Sequence, residues 1–191
     1  MAENKKIIIV GIPGVGKTTL VKKLVELLKA KQHSVRVDSF GTLMLEEVHN
    51  DISNRDELRK LDIFKQKKLQ NRVATKIASF TEDIVLVDTH AFISTDSGFY
   101  PGLPNNILEI IKPDHYISVS ARPEEVYNRR MSDNTRSRDI VTIESIKKEL
   151  AVQDSMVAAC SVLSGSPILT VLNSEGKAND VAVEIIEGIG V

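Results

Sequence analysis

Tryptophan is absent from the 191 residues, cysteine occurs once, and aromatic residues make up only 4%. The lone Cys160 excludes an internal disulfide framework and fits a reducing compartment. So few aromatics argue against the stacking platforms that bind single-stranded nucleic acid. Histidines stand singly at 33, 49, 90 and 115, without the spacing of zinc ligands. No apolar run approaches the ~18 residues that span a bilayer. The N-terminal apolar run leads straight into a glycine-rich motif, with no signal-peptide pattern. A net charge of -1 gives no reason to expect nucleic acid or a membrane surface as a partner. The cytoplasm is therefore the expected location. The remainder is that of an ordinary globular chain, 42% hydrophobic and 27% charged, long enough for one domain with a proper core.

The most informative stretch runs from Lys5 to Thr19. A β-branched run, Ile7-Ile8-Ile9-Val10, enters Gly11-Ile12-Pro13-Gly14-Val15-Gly16-Lys17-Thr18-Thr19, and an amphipathic segment follows. This is G-x-x-x-x-G-K-T in a strand–loop–helix setting. Glycine allows the torsions that turn successive N–H groups inward, and the helix beginning at about Gly16 adds the positive end of its dipole. Lys17 is placed to reach the β- and γ-phosphates of a nucleotide, and the Thr18 hydroxyl to ligate Mg²⁺. The same residues would also make a plain strand-to-helix turn. The full spacing and its context favour the phosphate site.

Hydrophobic periodicity gives five strand candidates, including Ser34–Val37, Tyr116–Val119 and Pro167–Leu172, alternating with helices at Gly16–Lys31, Asn105–Ile111, Pro123–Met131, Ile143–Leu163 and Val181–Ile189. Strand–helix–strand alternation predicts a parallel sheet covered by helices. Residues 39–80 are almost entirely helical in pattern, broken by Asn50-Asp51-Ile52-Ser53-Asn54. That is too much for one crossover and predicts a helical insertion leaning out of the sheet layer, with Phe64, Leu69, Val73, Ile77 and Phe80 as its apolar stripe.

Ile84-Val85-Leu86-Val87-Asp88 is a buried-strand pattern ending in an acid. Beside a phosphate-binding loop, Asp88 is the expected carboxylate on the metal side, though an acid there could also cap a turn. Residues 89–104 lack periodicity and carry Gly98, Pro101, Gly102 and Pro104 next to Phe99 and Tyr100. They read as a loop facing a substrate, since ligands collect beyond the carboxyl ends of parallel strands. His90 is placed either to meet a phosphate or base or to make an ordinary polar contact.

Arg122, Arg129, Arg130, Arg136 and Arg138 are five of the nine arginines, and no lysine falls between Arg122 and Val141 although lysine is the commoner base overall. Guanidinium groups are favoured for planar contacts to phosphate oxygens. The polar Ser132–Ser137 link predicts a mobile arginine loop between two helices. An arginine near a transferring phosphoryl group can contribute ~10³–10⁵ in rate, so these residues are read as a lid. A solvated charged face is the plainer alternative, since Glu124, Glu125, Asp133 and Asp139 lie nearby. Loop, acid and lid together form a kinase-like set, with Arg55 and Arg59 on the insertion as candidates to hold the acceptor. The residues do not name that acceptor, and a switch that binds a nucleotide without transferring phosphate also remains open.

The chain resembles the archaeal type of adenylate kinase over essentially its full length. The matching runs are Gly11–Thr19, Asn54-Arg55-Asp56-Glu57-Leu58-Arg59-Lys60-Leu61, Val87-Asp88-Thr89-His90-Ala91, Tyr100-Pro101-Gly102-Leu103-Pro104 and Asp133-Asn134-Thr135-Arg136-Ser137-Arg138. The resemblance implies an α/β, three-layer P-loop NTPase fold with a parallel five-stranded sheet. It implies a single domain with a core (1–38, 81–128 and 141–191), a helical AMP-binding insertion (39–80) and a short arginine-rich lid (129–140). The implied reaction is ATP + AMP to two ADP, reversible and dependent on Mg²⁺, in a homotrimer. On these expectations Gly11 to Thr19 bind ATP, Lys17, Arg129, Arg136 and Arg138 are catalytic, Thr18 and Asp88 serve the metal, and Arg55, Arg59 and His90 bind substrate.

Two departures stand out. Bacterial relatives carry D-G-F-P-R where this chain has Asp88-Thr89-His90-Ala91-Phe92, and T-G-D-x-L-R where it has Gly41-Thr42-Leu43-Met44-Leu45-Glu46. Both places lack the arginine that would clamp the AMP phosphate, which leaves Arg55 and Arg59 as the candidates. A zinc-bearing lid with four cysteines is excluded by the single cysteine.

Overall fold

The architecture follows from one β-branched strand buried on both faces. In a computed structural model that describes residues 4–48, 63–95, 98–132 and 142–191, β1 (Lys5–Val10) lies at the centre of a five-stranded parallel sheet. Its neighbours set the order β2 (Val35–Ser39), β3 (Ile84–Thr89), β1, β6 (His115–Ser120), β7 (Ile168–Leu172). Successive side chains point to opposite faces. Ile7, Ile9, Ile84 and Leu86 therefore enter one core, and Ile8, Val10, Val85 and Val87 the other.

Helices α1 (Lys17–Ala30) and α7 (Ala178–Ile189) cover the first face. Leu20, Leu24 and Leu28 recur every fourth residue along α1 and are fully buried. The second face is covered by α2 (Phe40–Glu47), α3 (Ile63–Ala78), α4 (Asn105–Ile111) and the long α6 (Ile143–Ser164). The expected three-layer parallel architecture is what the chain forms; among the described residues each expected strand and helix falls within a few residues of its span, and the expected segment at 55–60 lies outside them.

Two local readings change. The far half of α3 is not turned away from the sheet: Leu69, Val73, Ala74 and Ile77 pack into the second core with β1 and β3. Phe64, grouped with that stripe by sequence, is instead 82% exposed. Five residues separate it from Leu69, a rotation of about 140° that puts it off the stripe. Phe80 lies beyond the helix, beneath the Arg36 guanidinium, 3.6 Å from its ring centroid.

The second change concerns residues 89–104. They hold an antiparallel pair, β4 (Phe92–Thr95) and β5 (Gly98–Pro101), rather than an irregular loop. Phe92 and Phe99 meet edge to face at 4.8 Å, which fixes the two arms together. Alternation was hidden because Ala91, Gly98 and the prolines interrupt an otherwise short pattern. The pair returns to β3 through Gly102, whose N–H donates to the Ala91 carbonyl at 2.9 Å. A side chain at Gly102 would collide with the His90 carbonyl oxygen, so this close approach requires glycine.

Gly102→Ala is accordingly expected to cost about 1–3 kcal/mol of stability. A thermal melt checks this, with an unchanged midpoint counting against the close approach.

Candidate active site

Sheet register brings the pieces of the site to one edge. Ile9 lies opposite Asp88 and Val10 opposite Thr89, so β3 ends beside the start of the loop that follows β1. On the other side Val10 pairs with Ser118 of β6, and Ser120 with Leu172 of β7. Carboxyl ends of four strands thus surround Gly11–Gly16.

Within the loop, Ile12 and Val15 are buried and anchor it to the core by their side chains. Gly14 and Gly16 have φ of 93° and 81°, in the region that residues with a Cβ avoid. A Cβ on Gly16 would also lie 2.6 Å from Asn173 Nδ2. Gly16 is the residue before α1, with no side chain capping the helix. The first-turn amides of α1 have no acceptor within the helix, and the dipole adds partial positive charge there. Thr18 and Thr19 are exposed on this first turn.

Each carbonyl of the loop is taken up by a donor. Gly11 O accepts from Lys17 Nζ at 3.2 Å and faces His90 Nδ1 at 3.3 Å. Ile12 O accepts from the Val15 amide at 3.4 Å. Pro13 O accepts from Arg130 Nε at 2.8 Å, Gly14 O from Arg129 at 3.3 Å, and Val15 O from Asn173 Nδ2 at 2.8 Å. A planar trans peptide sends its carbonyl and the next N–H in opposite directions. Holding the Pro13 and Val15 carbonyls on their partners therefore turns the Gly14 and Gly16 amides the other way. Such a set of fixed amides is an anion nest.

Lys17 Nζ lies 2.8 Å from Asp88 Oδ1 and also donates to Thr89 O at 3.2 Å. The Asp88 contact is an ion pair by distance only, since Oδ1 is buried without a directed hydrogen bond. The Lys17 side chain is only 10% exposed and Asp88 33%. The structure thus brings Lys17 against Asp88 and, across the Gly11 carbonyl, beside His90, while Thr18 is exposed on the same first turn of α1. Among the described residues no three of His, Cys, Asp or Glu gather as metal ligands. Thr18 and Asp88 suit Mg²⁺, which commonly takes one or two protein ligands and keeps water and phosphate oxygens for the rest.

The arginines separate. Arg129 and Arg130 do not sit on a loop; both belong to the last turn of α5 (Pro123–Ser132). Arg129 spans Gly14 O and Asn173 O, the latter at 3.3–3.4 Å, and remains half-buried at the edge of the nest. Arg130 is 8% exposed and grips Glu149 of α6 with both terminal nitrogens, at 3.1 and 2.6 Å. Arg122 is exposed ahead of the helix. Arg136 and Arg138, like Arg55 and Arg59, lie outside the described residues. Glu46, at one of the places where bacterial relatives carry arginine, is paired with Lys76 at 3.2 Å.

The sequence reading missed Asn173 and the role of Arg130. Asn173 is 4% exposed and directly follows β7 at the edge that carries the loop, a position that was a usable signal. Glu125 braces the same corner, accepting from the Glu175 amide at 3.1 Å, and this hydrogen bond holds its carboxyl below the usual range. A groove of about 540 Å³ between α2 and α3 is lined by Glu47, Lys68, Asn71, Arg72 and Lys76 and shares no residue with the nest.

A parallel five-stranded sheet with this loop after its central strand, a lysine and a neighbouring acid defines a P-loop kinase fold. An AAA domain family model matches residues 10–147. Two shikimate kinase structures share the fold: that from Bacteroides thetaiotaomicron at TM-score 0.62 and 14% identity, covering 98% of this chain and 99% of that one, and that from Acinetobacter baumannii, solved with shikimate, at 0.59 and 17%, covering 98% and 94%. Sequence similarity is closer to three archaeal proteins named adenylate kinase. That of Thermococcus kodakarensis is 38% identical over 93% of this chain and 90% of its own length. That of Thermoplasma acidophilum is 37% identical over 96% and 98%, and that of Methanocaldococcus jannaschii 35% over 97% and 98%. The chain belongs to the adenylate kinase family.

Gly16→Ala is expected to lower ATP affinity at least about tenfold, because the αL strain of about 1–2 kcal/mol comes with an overlap on Asn173. Isothermal calorimetry with ATP reads this out; unchanged affinity would remove Gly16 from the nest.

Proposed function

We propose that the chain is an adenylate kinase, catalysing reversible transfer of the ATP γ-phosphoryl group to AMP to give two ADP. The observation that carries this is the full-length similarity to archaeal adenylate kinases, joined to a loop whose Pro13, Gly14 and Val15 carbonyls are held by Arg130, Arg129 and Asn173 beside a lysine paired with Asp88. Residues Gly11 to Thr19 bind the ATP phosphates, the nest amides facing the β-phosphate. Lys17 exchanges the Asp88 carboxylate for β- and γ-phosphate oxygens and keeps its contact to the loop. Phosphoryl transfer asks the protein mainly for positioning and charge neutralisation, and these groups are held for that before substrate arrives.

Thr18 and Asp88 are the residues that would hold Mg²⁺. When bound, the metal supplies neutralisation of charge on the transferring phosphoryl group. Arg129 lies beside the Gly14 carbonyl at the lip of the nest, from which it can meet the donor nucleotide. Arg136 and Arg138 complete a lid spanning 129–140, closing over the centre and excluding water that would otherwise take the phosphoryl group. Arg55 and Arg59, in the AMP-binding insertion 39–80, hold the acceptor phosphate. His90 orients at the boundary between donor and acceptor, where its ring faces the Gly11 carbonyl. The working form is a cytoplasmic homotrimer. In the described residues no helix is long and apolar enough to cross a membrane.

An acceptor panel with ATP and Mg²⁺ tests the reading: AMP should be turned over well above CMP, UMP and GMP, and equal or better turnover of another acceptor overturns it. Lys17→Met should cut turnover by at least about 100-fold. Arg136→Ala should lower kcat with little change in ATP affinity, the pattern of an interaction made only in the transition state. Normal turnover in that variant removes Arg136 from the lid chemistry.

A further inference from the structure

Of the two arginines that end α5, one has no part in contacting phosphate. Arg130 is 8% exposed, and its three guanidinium nitrogens are committed: Nε to Pro13 O at 2.8 Å, Nη1 and Nη2 to Glu149 at 3.1 and 2.6 Å. Its stem packs under the loop as well, since a Cβ on Gly14 would lie 3.1 Å from Arg130 Cγ. A side chain buried and neutralised in this way cannot swing to a nucleotide without leaving Glu149 and the Pro13 carbonyl unpaired.

What it holds is informative. Pro13 has no N–H, so the Ile12–Pro13 peptide offers only a carbonyl, whereas the peptide that joins Pro13 to Gly14 offers one carbonyl and one amide. The carbonyl is fixed by Arg130, which fixes the Gly14 amide on the opposite side. Glu149 stands in the second turn of α6, just after the capping box in which the Thr142 and Ser145 side chains bond each other's backbone amides. Arg130 stands in the last turn of α5. One fork-on-carboxylate contact therefore joins the helix before residues 133–141, the helix after them and the Pro13 peptide.

We infer that Arg130 is a positioning residue that pre-orients the Pro13–Gly14 peptide for phosphate, with Glu149 holding its guanidinium in place. This rests on the loop being the donor site proposed above. A lysine cannot reproduce the arrangement, because an ammonium lacks the planar fork that serves two carboxylate oxygens and a carbonyl at once. The inference predicts a loss confined to the polyphosphate part of the donor.

The test measures binding of ATP, tripolyphosphate and AMP by calorimetry, and thermal midpoints, for wild type, Arg130→Lys, Arg130→Met and the double variant Arg130→Met with Glu149→Met. Tripolyphosphate reports on the nest without the base or ribose. The Kd for ATP and for tripolyphosphate should rise together, roughly 10- to 100-fold, in Arg130→Met, with AMP affinity unchanged. Arg130→Lys should recover only part of this. The double variant removes the stranded carboxylate and should melt above Arg130→Met while its polyphosphate affinity stays low, which separates positioning from stability. Polyphosphate affinity within twofold of wild type in the folded variants overturns the inference, as does an equal loss for AMP. Failure of wild type to bind either probe overturns the donor-site reading along with it. Binding by wild type with unchanged variants overturns this inference alone.

Discussion

The site depends on carbonyls rather than on amides. A phosphate-binding nest needs several N–H groups held in one direction, and free backbone does not stay that way. Here the opposite ends of those peptides are tied down: Gly11, Pro13, Gly14 and Val15 each present a carbonyl to Lys17, Arg130, Arg129 and Asn173 respectively. The donors come from α1, α5 and the end of β7, so the loop takes its shape from tertiary structure as much as from its glycines. Because these amides are fixed beforehand, the loop backbone itself need not reorganise on binding, and such preorganisation is where electrostatic catalysis gains most.

The fold supplies these donors because the sheet is parallel. All five strands end on the same edge, and register aligns Asp88 with Ile9, Thr89 with Val10 and Ser120 with Leu172. One β-branched strand buried on both faces thus sets where Lys17 meets Asp88 and where Asn173 reaches the loop. The antiparallel pair β4–β5 leaves the same edge and folds back through Gly102 onto His90 and Ala91. The motifs Val87–Ala91 and Tyr100–Pro104, separated by eight residues in the sequence, are in that way one structural unit.

Much of this was legible from residues alone. The Ile7–Val10 run, the glycine spacing and the acid at Asp88 identified sheet, loop and neighbouring carboxylate, because each rests on a short-range rule of period or torsion. The β4–β5 pair was not legible, since its strands are four residues each and depend on the Phe92–Phe99 contact. Phe64 looked like part of a buried stripe by composition but falls on the wrong side of α3 by rotation. Arg130 was the hardest case. Adjacent arginines in sequence gave no reason to separate them, and only the position of Glu149 on another helix shows that one is spent on structure while its neighbour stays at the lip. Asn173 carries no motif at all; its importance comes from where β7 ends.

The central claim is that the γ-phosphoryl group passes directly from a nucleotide in this loop to AMP. Incubation with ATP labelled in the γ-phosphate, AMP and Mg²⁺, followed by separation of the products, tests it most directly. The expected result is label in the β-phosphate of newly formed ADP from the first turnovers, with little in inorganic phosphate. Label accumulating in inorganic phosphate, or remaining in ATP, would contradict it.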